Sequence, residues 1–118
     1  MCGFIASFGQ NINHKGLKIA FNQLQRRGPD AEGIWKKDNI FLGSRRLAIF
    51  DLHHRSNQPM TSICDRYVLV FNGSIYNYLE LRDYLLNIGI KLRTTSDTEV
   101  IIELFVLEGP KMLSRLQG

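Results

Sequence analysis

A layered α+β domain is the fold class predicted for this chain, on three observations. Its 118 residues fall within the roughly 100–200 residues of a single domain. Hydrophobic residues make up 44% and charged residues 22%, the balance of a chain that buries a core under a polar surface. Short apolar runs gather at the start and in the middle, with helical periodicities between and after them.

Residues 2–8 are apolar and bounded by Gly9, and read as a buried strand. Leu17, Ala20, Phe21 and Leu24 keep helical spacing, which predicts a short amphipathic helix over 15–25. Arg27-Gly28-Pro29-Asp30 breaks it with turn residues. Residues 32–37 and 39–42 read as a hairpin around Asp38, and 46–50 as another short strand. The polar stretch 53–57 reads as loop. Residues 67–71 are apolar and aromatic, the pattern of an inner strand, and Asn72-Gly73-Ser74 interrupts it. Asn77 with Glu80 resembles a capping box, and Tyr78, Leu81, Leu85 and Ile88 mark the buried stripe of a helix that Gly89 ends. A strand is expected over 90–93. Ser96 with Glu99 forms a second capping box, before a helix with Val100, Ile101, Leu104, Phe105 and Leu107 as its core stripe. Gly109-Pro110 is a strong stop, and a short helix precedes Gly118.

Fifteen Lys and Arg against eleven Asp and Glu leave a net charge of +4. The basic residues fall in pairs rather than runs (Arg26-Arg27, Lys36-Lys37, Arg45-Arg46), so charge alone is weak support for nucleic-acid binding. No apolar stretch approaches the ~20 residues of a membrane-spanning helix, and the N-terminus lacks the basic-then-apolar layout of a signal. A cytoplasmic location is the expectation. Thiols stay reduced there, so Cys2 and Cys64 are read singly. His14, His53 and His54 have no cysteine or carboxylate at metal-ligand spacing, and no Gly-rich phosphate loop occurs, so neither a metal nor a nucleotide is expected.

Cys2 is the first candidate for chemistry. Removal of Met1 would expose an α-amine with an ordinary pKa of about 7.7–8.0 beside a thiol of about 8.5, a base and a nucleophile in one residue. On position alone, a small hydrophobe at a strand start explains Cys2 as well. Asn72 and the Gly73 N–H, following a strand, could hold a developing oxyanion, or could form a plain turn. Arg46 could clamp a carboxylate or be a surface arginine. Asp97, in the first turn of a helix, has the backbone dipole as sufficient reason to be there. Cys64, flanked by Ser62, Asp65 and Arg66, reads as a surface turn.

These signals are weak singly, but their order is specific. Met1-Cys2-Gly3, Arg27-Gly28-Pro29-Asp30, Arg45 to Asp51, Gln58-Pro59-Met60, Phe71 to Asn77 and Ser96-Asp97-Thr98-Glu99 follow one another along nearly the whole chain. The set resembles the class II glutamine amidotransferase domain of asparagine synthetases. The resemblance implies an αββα layered sandwich of the N-terminal-nucleophile hydrolase type, incomplete here, with residues 1–118 as its N-terminal part. It implies hydrolysis of glutamine to glutamate and ammonia through a thioester on Cys2, with the Cys2 α-amine as base. Asn72 and Gly73 would form the oxyanion hole, Arg46 would pair with the substrate α-carboxylate, and Asp97 with its α-ammonium. No cofactor is implied for this chain, since ATP and Mg belong to a separate synthetase domain. Glutamine and a synthetase-type partner chain, or a homo-oligomer, are the implied partners.

Three positions depart from that family's pattern, with Arg26 and Ser44 where histidines are usual and Ser74 where a glutamate follows Asn-Gly. Loss of a charge-assisted contact at Ser74 would weaken glutamine binding by about 1.5–3 kcal/mol and leave the nucleophile intact. A non-catalytic remnant that binds glutamine or a partner chain is the alternative these departures motivate.

Overall fold

The computed structural model describes residues 2–48 and 53–118. Three strands, β1 (Gly3–Phe8), β2 (Ala31–Lys37) and β3 (Ile40–Arg46), form an antiparallel sheet in the order β1-β3-β2. β2 and β3 are the predicted hairpin. Asp38 turns it with a φ of 49°, a left-handed conformation that Asp tolerates better than most residues. β3 is longer than expected, because it is the middle strand and pairs with β2 along its whole length and with β1 from Ile40 to Arg45. It therefore absorbs the break foreseen after Leu42. The separate strand expected over 46–50 is not formed: Arg46 ends β3, Leu47 and Ala48 follow it without regular structure, and Ile49 and Phe50 lie outside the described residues.

Helix α1 (His14–Gln23) covers one face of this sheet and runs into a 3-10 turn, Leu24–Arg26. Its buried residue is Phe21, whose ring lies over Gly43 of β3. A Cβ at Gly43 would stand 2.9 Å from that ring, which explains a glycine inside a central strand. β1 is not buried on both faces as expected. Gly3, Ile5 and Ser7 turn toward α1, whereas Phe4, Ala6 and Phe8 are exposed on the other face.

The second half carries its own core. A two-residue ladder joins β4 (Met60–Thr61) to β5 (Val68–Leu69), all that forms of the inner strand expected over 67–71. Helices α2 (Tyr78–Asn87) and α3 (Asp97–Glu108) pack with a closing 3-10 segment, Gly109–Arg115. Leu81 and Leu85 of α2 meet Val100, Ile101 and Leu104 of α3, together with Ile75 and Met112. Ile88 and Leu107, assigned to those stripes from periodicity, are exposed. The first turns of α3 are instead buried all round, Glu99 and Glu103 included. Residues 90–93 do not form a strand. The Ile90 N–H bonds back to the Leu85 carbonyl, and the Arg93 N–H is taken by the Glu99 carboxylate, so neither is left for a ladder.

Candidate functional site

Antiparallel pairing of β1 with β3 sets Gly3 opposite Arg45, so the chain's first residues lie beside the end of the central strand. Cys2 is thereby held against Leu47: its Sγ accepts from the Leu47 N–H at 3.3 Å and lies 3.6 Å from the Leu47 carbonyl. The Arg27-Gly28-Pro29-Asp30 turn braces the same exit. The Asp30 N–H bonds the Arg46 carbonyl at 3.0 Å, and Asp30 Oδ2 accepts from the Ala48 N–H at 2.8 Å. Gly28 packs so closely that a Cβ there would sit 2.2 Å from the Arg45 carbonyl carbon. Only glycine permits this approach of two backbones.

Arg46 is 7% exposed, and its Nη1 donates to the His53 carbonyl at 3.3 Å and to Asn57 Oδ1 at 2.9 Å. A guanidinium fixed in this way presents a directed charge without paying further rotamer entropy on binding.

The segment 72–74 hangs between two held donors. On one side, the Phe71 N–H donates to Gln58 Oε1 at 2.6 Å. On the other, the Ile75 N–H donates to Asp97 Oδ2 at 3.2 Å. The two acceptors are joined to each other, since Gln58 Nε2 donates to Thr98 Oγ1 at 3.2 Å and the Thr98 hydroxyl lies 3.4 Å from Asp97 Oδ1. Asn72, Gly73 and Ser74 remain exposed between these anchors. Gln58 and Thr98, both buried, have no role that the sequence alone assigns. Their own signal was their place inside the Gln-Pro-Met and Ser-Asp-Thr-Glu blocks.

α3 is anchored by half a capping box. Ser96 Oγ accepts from the Glu99 N–H, but the Glu99 side chain turns away from Ser96 and takes the N–H groups of Arg93 and Thr94 at 2.9 and 2.6 Å. Burial pushes the Glu99 carboxyl up, and the hydrogen bonds from Arg93 and Thr94 outweigh it, leaving its pKa below the ordinary value. Burial raises the Glu103 carboxyl, against a hydrogen bond from the Ile63 N–H.

These constraints build one cleft. Cys2, Arg46, Asn72, Gly73, Ser74 and Asp97 all border a space of about 300 Å³, together with Ser56, Gln58, Tyr76 and Thr98. The cleft thus combines a half-buried thiol, a guanidinium, a carboxylate at a helix start and an exposed amide with an adjacent backbone N–H. A small zwitterion with a carbonyl group matches this complement. Of the departing positions, Ser74 borders the cleft, Ser44 is buried within β3, and Arg26 is exposed at the end of the 3-10 turn. Among the described residues no three His, Cys, Asp or Glu side chains converge as metal ligands, and no helix is long and apolar enough to cross a membrane.

The model of the glutamine amidotransferase domain family matches residues 1–118. An asparagine synthetase (glutamine-hydrolyzing) of Bacillus subtilis strain 168 is 36% identical over 124 aligned positions, covering 100% of this chain and 20% of the relative. Asparagine synthetase B (glutamine-hydrolyzing) of Escherichia coli K12 is 40% identical, over 91% of this chain and 19% of the relative. A homologue in Arabidopsis thaliana, also a glutamine-hydrolyzing asparagine synthetase, is 34% identical over the full chain. The chain thus spans about a fifth of the length of these relatives.

Proposed function

The chain belongs to the glutamine amidotransferase domain family, and from that premise we propose that it hydrolyses glutamine to glutamate and ammonia. Residues 1–118 serve as the N-terminal part of a type-2 amidotransferase domain with the N-terminal-nucleophile αββα architecture, in a cytoplasmic asparagine-synthetase-like enzyme. The ammonia goes to an acceptor such as aspartate, on a synthetase-type partner that holds ATP and Mg.

In this reading Met1 is removed, and the free α-amine of Cys2 takes the thiol proton. The sulfur attacks the side-chain amide carbon of glutamine. Asn72 and the Gly73 N–H stabilise the oxyanion of the tetrahedral intermediate. Ammonia departs with the proton carried by the amine, leaving a thioester on Cys2. Water then attacks the thioester, the amine accepts a proton from that water, and glutamate leaves as the thiol is restored. Arg46 receives the α-carboxylate and Asp97 the α-ammonium. Ser74 contributes a hydroxyl where a carboxylate would bind more strongly.

The observation that carries this reading is the convergence of Cys2, Arg46, Asn72, Gly73 and Asp97 on one cleft. It is tested by glutamate release from glutamine. Cys2→Ala should abolish it, and Asn72→Ala should lower kcat by about 10²–10³ with a smaller change in KM. Glutamine-dependent stabilisation with no glutamate release in the unaltered chain would favour a non-catalytic binding role.

A further inference from the structure

Among the described residues, two buried side-chain polar atoms meet no hydrogen-bond partner, Arg45 Nε and Ser56 Oγ. The rest of the Arg45 guanidinium is engaged, by Glu32, by Asn22 and by the face of Phe21. Ser56 has no such compensation. It is 2% exposed and yet borders the cleft that holds Cys2. A hydroxyl withdrawn from water without a partner is costly, and native structures rarely keep one without a use.

Its position indicates the use. Ser56 closes the 3-10 turn His54–Ser56. Its backbone N–H donates to the His53 carbonyl at 3.1 Å, and Arg46 Nη1 donates to that same carbonyl at 3.3 Å. Arg46 Nη1 also bonds Asn57, the next residue along. The turn bearing Ser56 is therefore fastened to the Arg46 guanidinium on both sides of the serine. A carboxylate offers about four lone-pair sites, and a two-pronged arginine contact fills only two of them.

We infer that the Ser56 hydroxyl is a second donor to the ligand's carboxylate, acting beside Arg46 and selecting a free α-amino acid. The identity of that ligand rests on the glutaminase reading; the unsatisfied hydroxyl does not.

Removing an unpartnered hydroxyl should not weaken the empty protein, whereas removing a ligand contact should weaken binding. Calorimetric titration would be done on Cys2→Ala, which keeps the substrate intact, with and without Ser56→Ala. The probes are L-glutamine and 4-aminobutanamide, the same skeleton without the α-carboxylate. The expected result is about tenfold weaker glutamine binding with Ser56→Ala, equal affinity for 4-aminobutanamide, and an unchanged or higher melting temperature without ligand. Equal weakening toward both probes, no weakening toward either, or a lower melting temperature without ligand would overturn the assignment. Absence of glutamine binding in Cys2→Ala itself, with no glutamate release by the unaltered chain, would overturn the glutaminase reading and the assignment with it.

Discussion

Replacing Glu99 by glutamine is the sharpest test of how the site is supported. Four donors converge on its carboxylate: the Arg93 N–H at 2.9 Å, Arg93 Nε at 3.1 Å, the Thr94 N–H at 2.6 Å and the Thr94 hydroxyl at 2.7 Å. The side chain is fully buried. An amide of the same shape has one acceptor oxygen and an NH2 group that only donates. Whichever way it turns, a backbone N–H of Arg93 or Thr94 faces another donor. A hydrogen bond to a charged group contributes about 1.5–3 kcal/mol, and an orphaned buried donor costs about 1–3. Glu99→Gln should therefore lower stability by about 3 kcal/mol at pH 7. At roughly 4 °C per kcal/mol for a domain of this size, the melting midpoint should fall by roughly 12 °C.

Urea denaturation followed by circular dichroism measures the first quantity and a thermal scan the second. The pH dependence has a fixed sign. Because the folded carboxyl titrates below its ordinary value of 4.5, its contribution is present above that value and lost as pH falls through the folded pKa. Wild type and variant should thus converge in acid. A loss under about 0.5 kcal/mol at neutral pH, or a gap that widens in acid, would refute the support assigned to this carboxylate.

Other expectations follow from separate contacts. Glu103 is buried with its carboxyl raised, so the folded state holds a proton more tightly and loses stability as pH rises through the interval above 4.5. Glu103→Gln keeps an acceptor for the Ile63 N–H and should gain on wild type between pH 4 and 7 in urea midpoints; the opposite trend would contradict the assignment. Gly28→Ala places a methyl 2.2 Å from the β3 backbone and should cost about 2 kcal/mol or more, with weaker glutamine binding as Arg46 shifts. A silent substitution would mean that the turn does not brace β3. Gln58→Leu releases the Phe71 N–H and the Thr98 hydroxyl but leaves Asp97 its bond from the Ile75 N–H, so it should lower kcat for glutamate release more than it raises KM. An effect confined to KM would contradict that placement.

Much of the local chemistry was readable in the sequence, though not the capping box at Asn77, whose side chain bonds the Arg115 and Gln117 backbone instead of capping α2. The hairpin at Asp38, the cap at Ser96 and the stops at Gly89 and Gly109 all form where turn and capping residues put them, and both glycines adopt positive φ. Periodicity failed where polar side chains intervened. Residues 90–93 look like a strand, but the Leu85 carbonyl takes the Ile90 N–H and Glu99, six positions away, takes that of Arg93. The apolar run 67–71 finds only a two-residue partner, so most of it stays half-buried and unpaired. The buried face of α3 is wider than its apolar stripe because Glu99 and Glu103 are buried as well, each held by backbone N–H groups. The cleft residues were legible through the order of their motifs. The links from Gln58 to Thr98 and Phe71 span 40 and 13 positions and leave no periodic trace.

The proposed function makes Cys2 the nucleophile of a formed glutamine site. Intact mass after incubation with a glutamine-mimicking diazoketone tests it most directly. On chain lacking Met1, a single adduct is expected, one that excess glutamine suppresses and Cys2→Ala abolishes. A folded, Met1-free chain that takes up no adduct would contradict it.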